Sequence, residues 1–259
     1  MKTDRRTFLA ILAGVASGAL TGATARFASA FGAPSVFSVG LLRYDSPSWN
    51  PRPDALSRLL LEVELTTSIM IDQRTREVRA TTEDLATTPL VWVAGDQGFS
   101  PWSSAERDAL ARFIAAGGTL VFDSSEGRAD GAFREAVERE LAAILPRQPL
   151  TRLPREHVVY KAFYLCDGSE GRVTVERGLD AITVDQRAAV LYAHNDLLGA
   201  YARDGAGNHR FVPQPGGERQ RQMTFRLGVN IVMYALCLDY KEDQVHVPFI
   251  MRRRRWRVD

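Results

Sequence analysis

Two cysteines in 259 residues, Cys166 and Cys237, and only four histidines leave little from which to build a metal centre or a disulfide framework. Neither a CxxC motif nor a closely spaced His/Cys pair occurs, so no metal is expected. Cys237 lies in the apolar run 229–238 and reads as a small buried hydrophobe, while Cys166 stands beside the turn-forming Asp167-Gly168; two free thiols are expected rather than a bridge. The phosphate-cradling patterns GxGxxG and GxxxxGK followed by Ser or Thr are both missing, which removes the support for nucleotide binding, and no cofactor is expected. There is no internal repeat and no long disordered insert. Charge of one sign is also lacking, with 33 basic residues against 31 acidic. Residues 1–30 hold four of those basic residues and one acid, so the remainder carries 29 against 30 and no nucleic-acid partner is expected.

What is present begins with an export address. Lys2, Arg5 and Arg6 precede an uncharged run, 7–25, and small-x-small sites follow at 23–25 and 28–30. This is the pattern of a signal peptide. The paired arginines, followed one residue later by Phe8-Leu9, match the twin-arginine form, which carries folded chains across the membrane. The run is Gly- and Ala-rich and falls short of the ~20 strongly apolar residues of a spanning helix. At the other end Arg252, Arg253, Arg254, Arg255 and Arg257 surround Trp256. The expected organisation is a signal over 1–30, one α/β domain over 31–245 and a basic tail over 246–259, in a periplasmic protein that the tail places against an anionic surface.

Apolar runs and helical spacings alternate along the domain. Strands are expected at 36–42, 68–71, 90–94 and 119–122, and helices at 54–67, from Ser103 or Ser104 to Gly117-Gly118, and at 132–145. Pro47, Pro51 and Pro53 keep the segment 46–54 out of a helix. Beyond residue 150 the pattern is less regular, with strands expected at 172–176, 181–184 and 188–192, a surface loop over 203–221 and a helix over 223–240. Strand and helix in alternation imply a mostly parallel sheet covered on both faces.

In such a sheet, ligands sit outside the carboxyl ends of the strands. The candidate binding residues are therefore Arg43, Tyr44, Trp49 and Asn50 after the first strand, Asp96 after the next, and His194, Asn195 and Asp196 after the strand at 188–192. Trp49, between prolines, either offers a rigid aromatic surface or staples its loop onto the first helix. Asp123 and Ser124, with His157 or His194, are the candidate acid-base and nucleophilic groups. Against a nucleophilic Ser124, a strained strand-to-helix elbow needs small residues two before and two after it, where this chain has Phe122 and Glu126. The bland alternative is that Asp123 and Ser125 cap the following helix.

A series of short motifs resembles the bacterial domain-of-unknown-function 4159 family. These are 40–45 with Trp49-Asn50-Pro51, Gly117-Gly118-Thr119-Leu120 before Asp123, 132–135, Leu153-Pro154 with His157 and Phe163-Tyr164, Asn195-Asp196, and 226–230 before Tyr234-Ala235. The resemblance spans 36–240 and implies a three-layer sandwich related to flavodoxin and to class I glutamine amidotransferases. The cysteine of the amidotransferase elbow has no counterpart in Phe122-Asp123-Ser124-Ser125-Glu126-Gly127, so cysteine-based glutamine hydrolysis is not expected.

Three functions remain open. The first is a non-catalytic amidotransferase-like domain that binds a cell-envelope partner or a small polar ligand. The second is a hydrolase acting on a carbohydrate or amide through Asp123, Ser124 and a histidine. The third is a structural accessory protein held by its tail against anionic lipid or an acidic partner.

Overall fold

The computed structural model describes residues 36–237; the signal segment with Arg5 and Arg6 and the basic tail with its arginines lie outside the described residues. Seven strands form one sheet in the order β2-β1-β3-β4-β7-β6-β5. The apolar run after residue 38 makes β1 (Val39–Leu42), buried along its whole length. The proline-rich segment then delivers the chain to α1 (Ala55–Thr66), whose Leu56, Leu59, Leu60 and Val63 face the core at helical spacing. β2 (Arg76–Val78), α2 (Thr82–Leu85) and β3 (Leu90–Gly95) follow. α3 (Ser104–Ala115) opens on a reciprocal capping box between Ser103 and Glu106, and Gly117 supplies the left-handed turn (φ 107°) that ends it.

β4 (Thr119–Ser124) and α4 (Ala132–Ile144) complete the regular half. In the second half come β5 (Thr151–Arg152), a 3-10 turn (Val158–Tyr160), β6 (Asp180–Val184), β7 (Arg187–Ala193), α5 (Leu197–Tyr201) and α6 (Gly217–Cys237). β1, β2, β3, β4 and β7 run parallel; β6 and β5 extend the sheet antiparallel.

Strand alternation sorts the core into two layers. Leu90, Trp92 and Ala94 of β3 join α1, α5 and α6 on one face, while Val91 and Val93 join α3 and α4 on the other. The result is the three-layer α/β sandwich expected from the alternating pattern. Gly228 lets α6 close on the first layer, since a Cβ there would meet Leu59 and the Tyr201 hydroxyl. Asn230 ties the irregular 161–166 segment to the same helix: its Oδ1 accepts from the amides of Phe163 and Tyr164, and its Nδ2 donates to the Tyr164 carbonyl.

Several expectations are corrected. Residues 68–71 are not a strand and contribute only the bridge from Ile71 to Phe37. Residues 172–176 are likewise not a strand and contribute only the bridge from Val173 to Gln214, because the amides of Arg172, Val173, Val175 and Glu176 are taken up by Asn195 and Asp196. The last helix begins at Gly217, within the expected loop, and Cys237 at its end is exposed rather than buried. Cys166 is a buried free thiol whose sulfur accepts a long hydrogen bond (3.6 Å) from Asn230. Among the described residues no helix is long and apolar enough to cross a membrane.

Candidate functional site

β1 lies between β2 and β3, so the chain turns one way after β1 and the other way after β3, opening the crevice where open α/β sheets bind ligands. The loop after β1 folds over it. Tyr44 turns inward, donates its hydroxyl to the Ala94 carbonyl (2.7 Å) and packs against Phe99 and Trp102; burial, with the Asp96 charge second, pushes its pKa well up. Trp49 is half-buried against both core layers, and the Arg43 guanidinium lies over its ring at 5.5 Å. Ser48 hydrogen-bonds Asp96 and locks this loop to the one after β3. Arg43, Tyr44, Trp49 and Arg79 line a cleft of about 670 Å³, and Asn50 lines a neighbouring one of about 300 Å³.

Deeper in, two fully buried carboxylates organise the carboxyl ends of β4 and β7. Asp123 accepts the amides of Leu197 and Leu198, both at 2.8 Å, and so caps α5, the helix after β7, rather than the one that follows it in sequence. Burial and the Asp196 charge push its pKa up to about 7, against the two amides and Arg52, which pull it down. Asp196 stands in the left-handed region (φ 55°) and accepts from Arg52 (Nη2 at 2.7 Å), Arg172, the Ser125 hydroxyl (3.0 Å) and the Gly199 amide (2.9 Å). Four segments thus meet on one carboxylate. Phe211 covers both arginines, at 4.8 Å from Arg52 and 5.4 Å from Arg172.

The two residues before Asp196 are equally engaged. Asn195 Oδ1 accepts the amides of Val175 and Glu176, and its Nδ2 donates to the Ser169 and Glu176 carbonyls. His194 is buried with Nε2 2.8 Å from Asp180, to which it donates because a carboxylate only accepts, and Arg134 Nη1 lies beside the ring, 3.2 Å from Nε2 and 3.3 Å from Nδ1. Burial disfavours the Asp180 charge, yet His194, Arg134 and Arg152 together hold its pKa below the usual value.

The family model described as "Domain of unknown function (DUF4159)" matches residues 38–236, most of the chain. The chain belongs to the DUF4159 family. No curated protein matches it.

In this DUF4159 domain, among the described residues, neither Asp123 nor Ser124 hydrogen-bonds His157 or His194. Ser124 is fully buried, with its hydroxyl 3.5 Å from Glu126. His157 packs on Tyr234 (ring centroids 5.4 Å apart) and accepts the Val159 amide, and burial lowers its pKa. Tyr234 in turn accepts the amide of Ala188, near the start of β7, whereas Asp123 pairs with Ala193 at its end. Sequence reasoning missed Arg52, Arg172, Arg134 and Asp180 as site residues, and weighed Ser125 only as a cap of the following helix, whereas its hydroxyl donates to Asp196.

Proposed function

We propose that this protein is an exported, non-catalytic amidotransferase-like domain that binds a small polar ligand or cell-envelope partner in the crevice at the carboxyl ends of β1 and β3. One observation carries the reading: the groups that would do acid-base or nucleophilic chemistry are consumed in holding loops together, while the cleft beside them keeps exposed guanidinium groups. Both oxygens of Asp123 accept backbone amides, so the carboxylate is engaged in capping a helix. The twin-arginine pattern supports export, and the basic tail supports contact with an anionic surface.

A hydrolase is the second reading, favoured by the poise of Asp123 near neutrality, where a general acid-base works best. The deciding experiment is a turnover assay of the purified chain on glutamine, ester and glycoside substrates, beside Asp123→Asn and Ser124→Ala. The binding reading expects no turnover above background. Reproducible turnover abolished in either variant, with both variants still folded, overturns it.

A further inference from the structure

The cleft after β1 holds two guanidinium groups whose hydrogen-bonding capacity is largely unspent. Arg43 reaches one carboxylate, Glu77, at 3.4 Å, and both side chains are about half exposed, at 54% and 55%. Such a contact is weak and easily exchanged. Its stacking on Trp49 fixes the plane of the guanidinium without consuming an N–H donor, which leaves the planar fork free for bidentate recognition. Arg79 is held by its backbone amide, which donates to Asp84 (2.8 Å), while its side chain enters no ion pair among the described residues.

The acidic groups of the cleft are not equivalent. Glu106 is turned back on its own helix by the amide and hydroxyl of Ser103, at 2.8 and 2.7 Å. Asp45 is exposed and enters no ion pair among the described residues. Two available cations thus face one available carboxylate, and that carboxylate can accept from hydroxyl groups. The volume of about 670 Å³ exceeds what a bare inorganic anion fills and lies within the range of small-molecule sites.

Building on the proposed binding role, we infer that this cleft takes an acidic sugar: a carboxylate or phosphate gripped by Arg43 and Arg79, with ring hydroxyls donating to Asp45. Trp49 is a positioning residue that orients Arg43. A neutral sugar leaves both guanidinium groups unsatisfied, and a bare anion leaves Asp45 unanswered and repelled.

Calorimetric titration of the purified full-length chain with glucuronate, glucose 1-phosphate, glucose and inorganic phosphate tests this. At least one acidic sugar should bind ~10-fold or more tightly than glucose and than inorganic phosphate, and which one does so separates the carboxylate source from the phosphate source. Arg43→Gln and Arg79→Gln should each weaken that binding at least ~10-fold with an unchanged Tm, since both side chains are exposed. Glucose binding as tightly as the acidic sugars overturns the inference while leaving a binding domain. Inorganic phosphate binding as tightly as the tighter of the two acidic sugars, or none of the four binding, also overturns it. The binding reading itself fails separately, through turnover in the assay above.

Discussion

Replacing Asp196 by Asn is the most informative perturbation of this domain. Asparagine tolerates the left-handed backbone at this position and keeps one acceptor, so the change removes charge with little change of shape. What is lost is the shared counter-charge of Arg52 and Arg172, whose side chains are only 13% and 23% exposed beside a fully buried carboxylate. Breaking a buried pair typically costs ~3–5 kcal/mol, and the partial exposure of the arginines places this case near ~3. For a domain of this size that corresponds to a Tm lower by roughly 6–12 °C.

A second readout follows from Asp123, whose folded-state pKa is raised to about 7 by burial and by the Asp196 charge. A raised carboxyl pKa contributes stability that is fully present below the unfolded value of ~4 and is lost as pH rises to ~7; the upper bound is ~4 kcal/mol across that window. Without the Asp196 charge, Asp123 ionises more readily, and this loss between pH 4 and 7 should shrink. Chemical denaturation at pH 4, 5.5 and 7 measures both effects. A variant within ~1 kcal/mol of the wild type at pH 7, or one with the same pH dependence, would refute the reasoning.

Glu140 is a buried carboxylate whose charge burial disfavours but which Arg107, Arg139 and the Trp102 amide hold below its usual pKa, so Glu140→Gln should cost ~2 kcal/mol at neutral pH. The difference from wild type should narrow as pH falls below ~4, where a depressed carboxyl loses its contribution; denaturation curves at pH 3 and 7 decide this. Gly95→Ala should destabilise by ~1–3 kcal/mol, because a Cβ there meets the Phe133 ring and, at 2.6 Å, the Tyr44 hydroxyl; an unchanged Tm would contradict the close approach. Replacing Arg5 and Arg6 together by lysine keeps the charge but removes the pair, and should abolish export measured as the periplasmic fraction in a Gram-negative host. Export at the wild-type level would rule out the twin-arginine route.

Local signals sufficed for the regular half of the domain. The buried runs at 90–94 and 119–122, the Ser103–Glu106 capping box and the Gly117-Gly118 stop each encode their own element within a few residues, and the strand-helix alternation carries the layered architecture with them. The same logic placed Arg43, Tyr44 and Trp49 at the carboxyl end of β1, where they line the cleft. β2 and β5 escaped because strands of three and two residues are too short to show a period, and α5 because five residues, all buried, show no polar face.

The roles of the polar residues were decided only by tertiary structure. Nothing near Asp123 in sequence indicates that it caps a helix beginning 74 residues later, since the amides it satisfies arrive there through the pairing of β7 beside β4. Nor can spacing reveal that Arg52, Ser125 and Arg172 converge on Asp196, or that His157 packs on Tyr234 of the last helix. Hydrophobic periodicity is a property of neighbours along the chain and survives in the sequence. The partner of a buried charge is a property of the packed sheet, because only the pairing order of the strands brings distant loops to one edge and removes the water that would otherwise serve each of them.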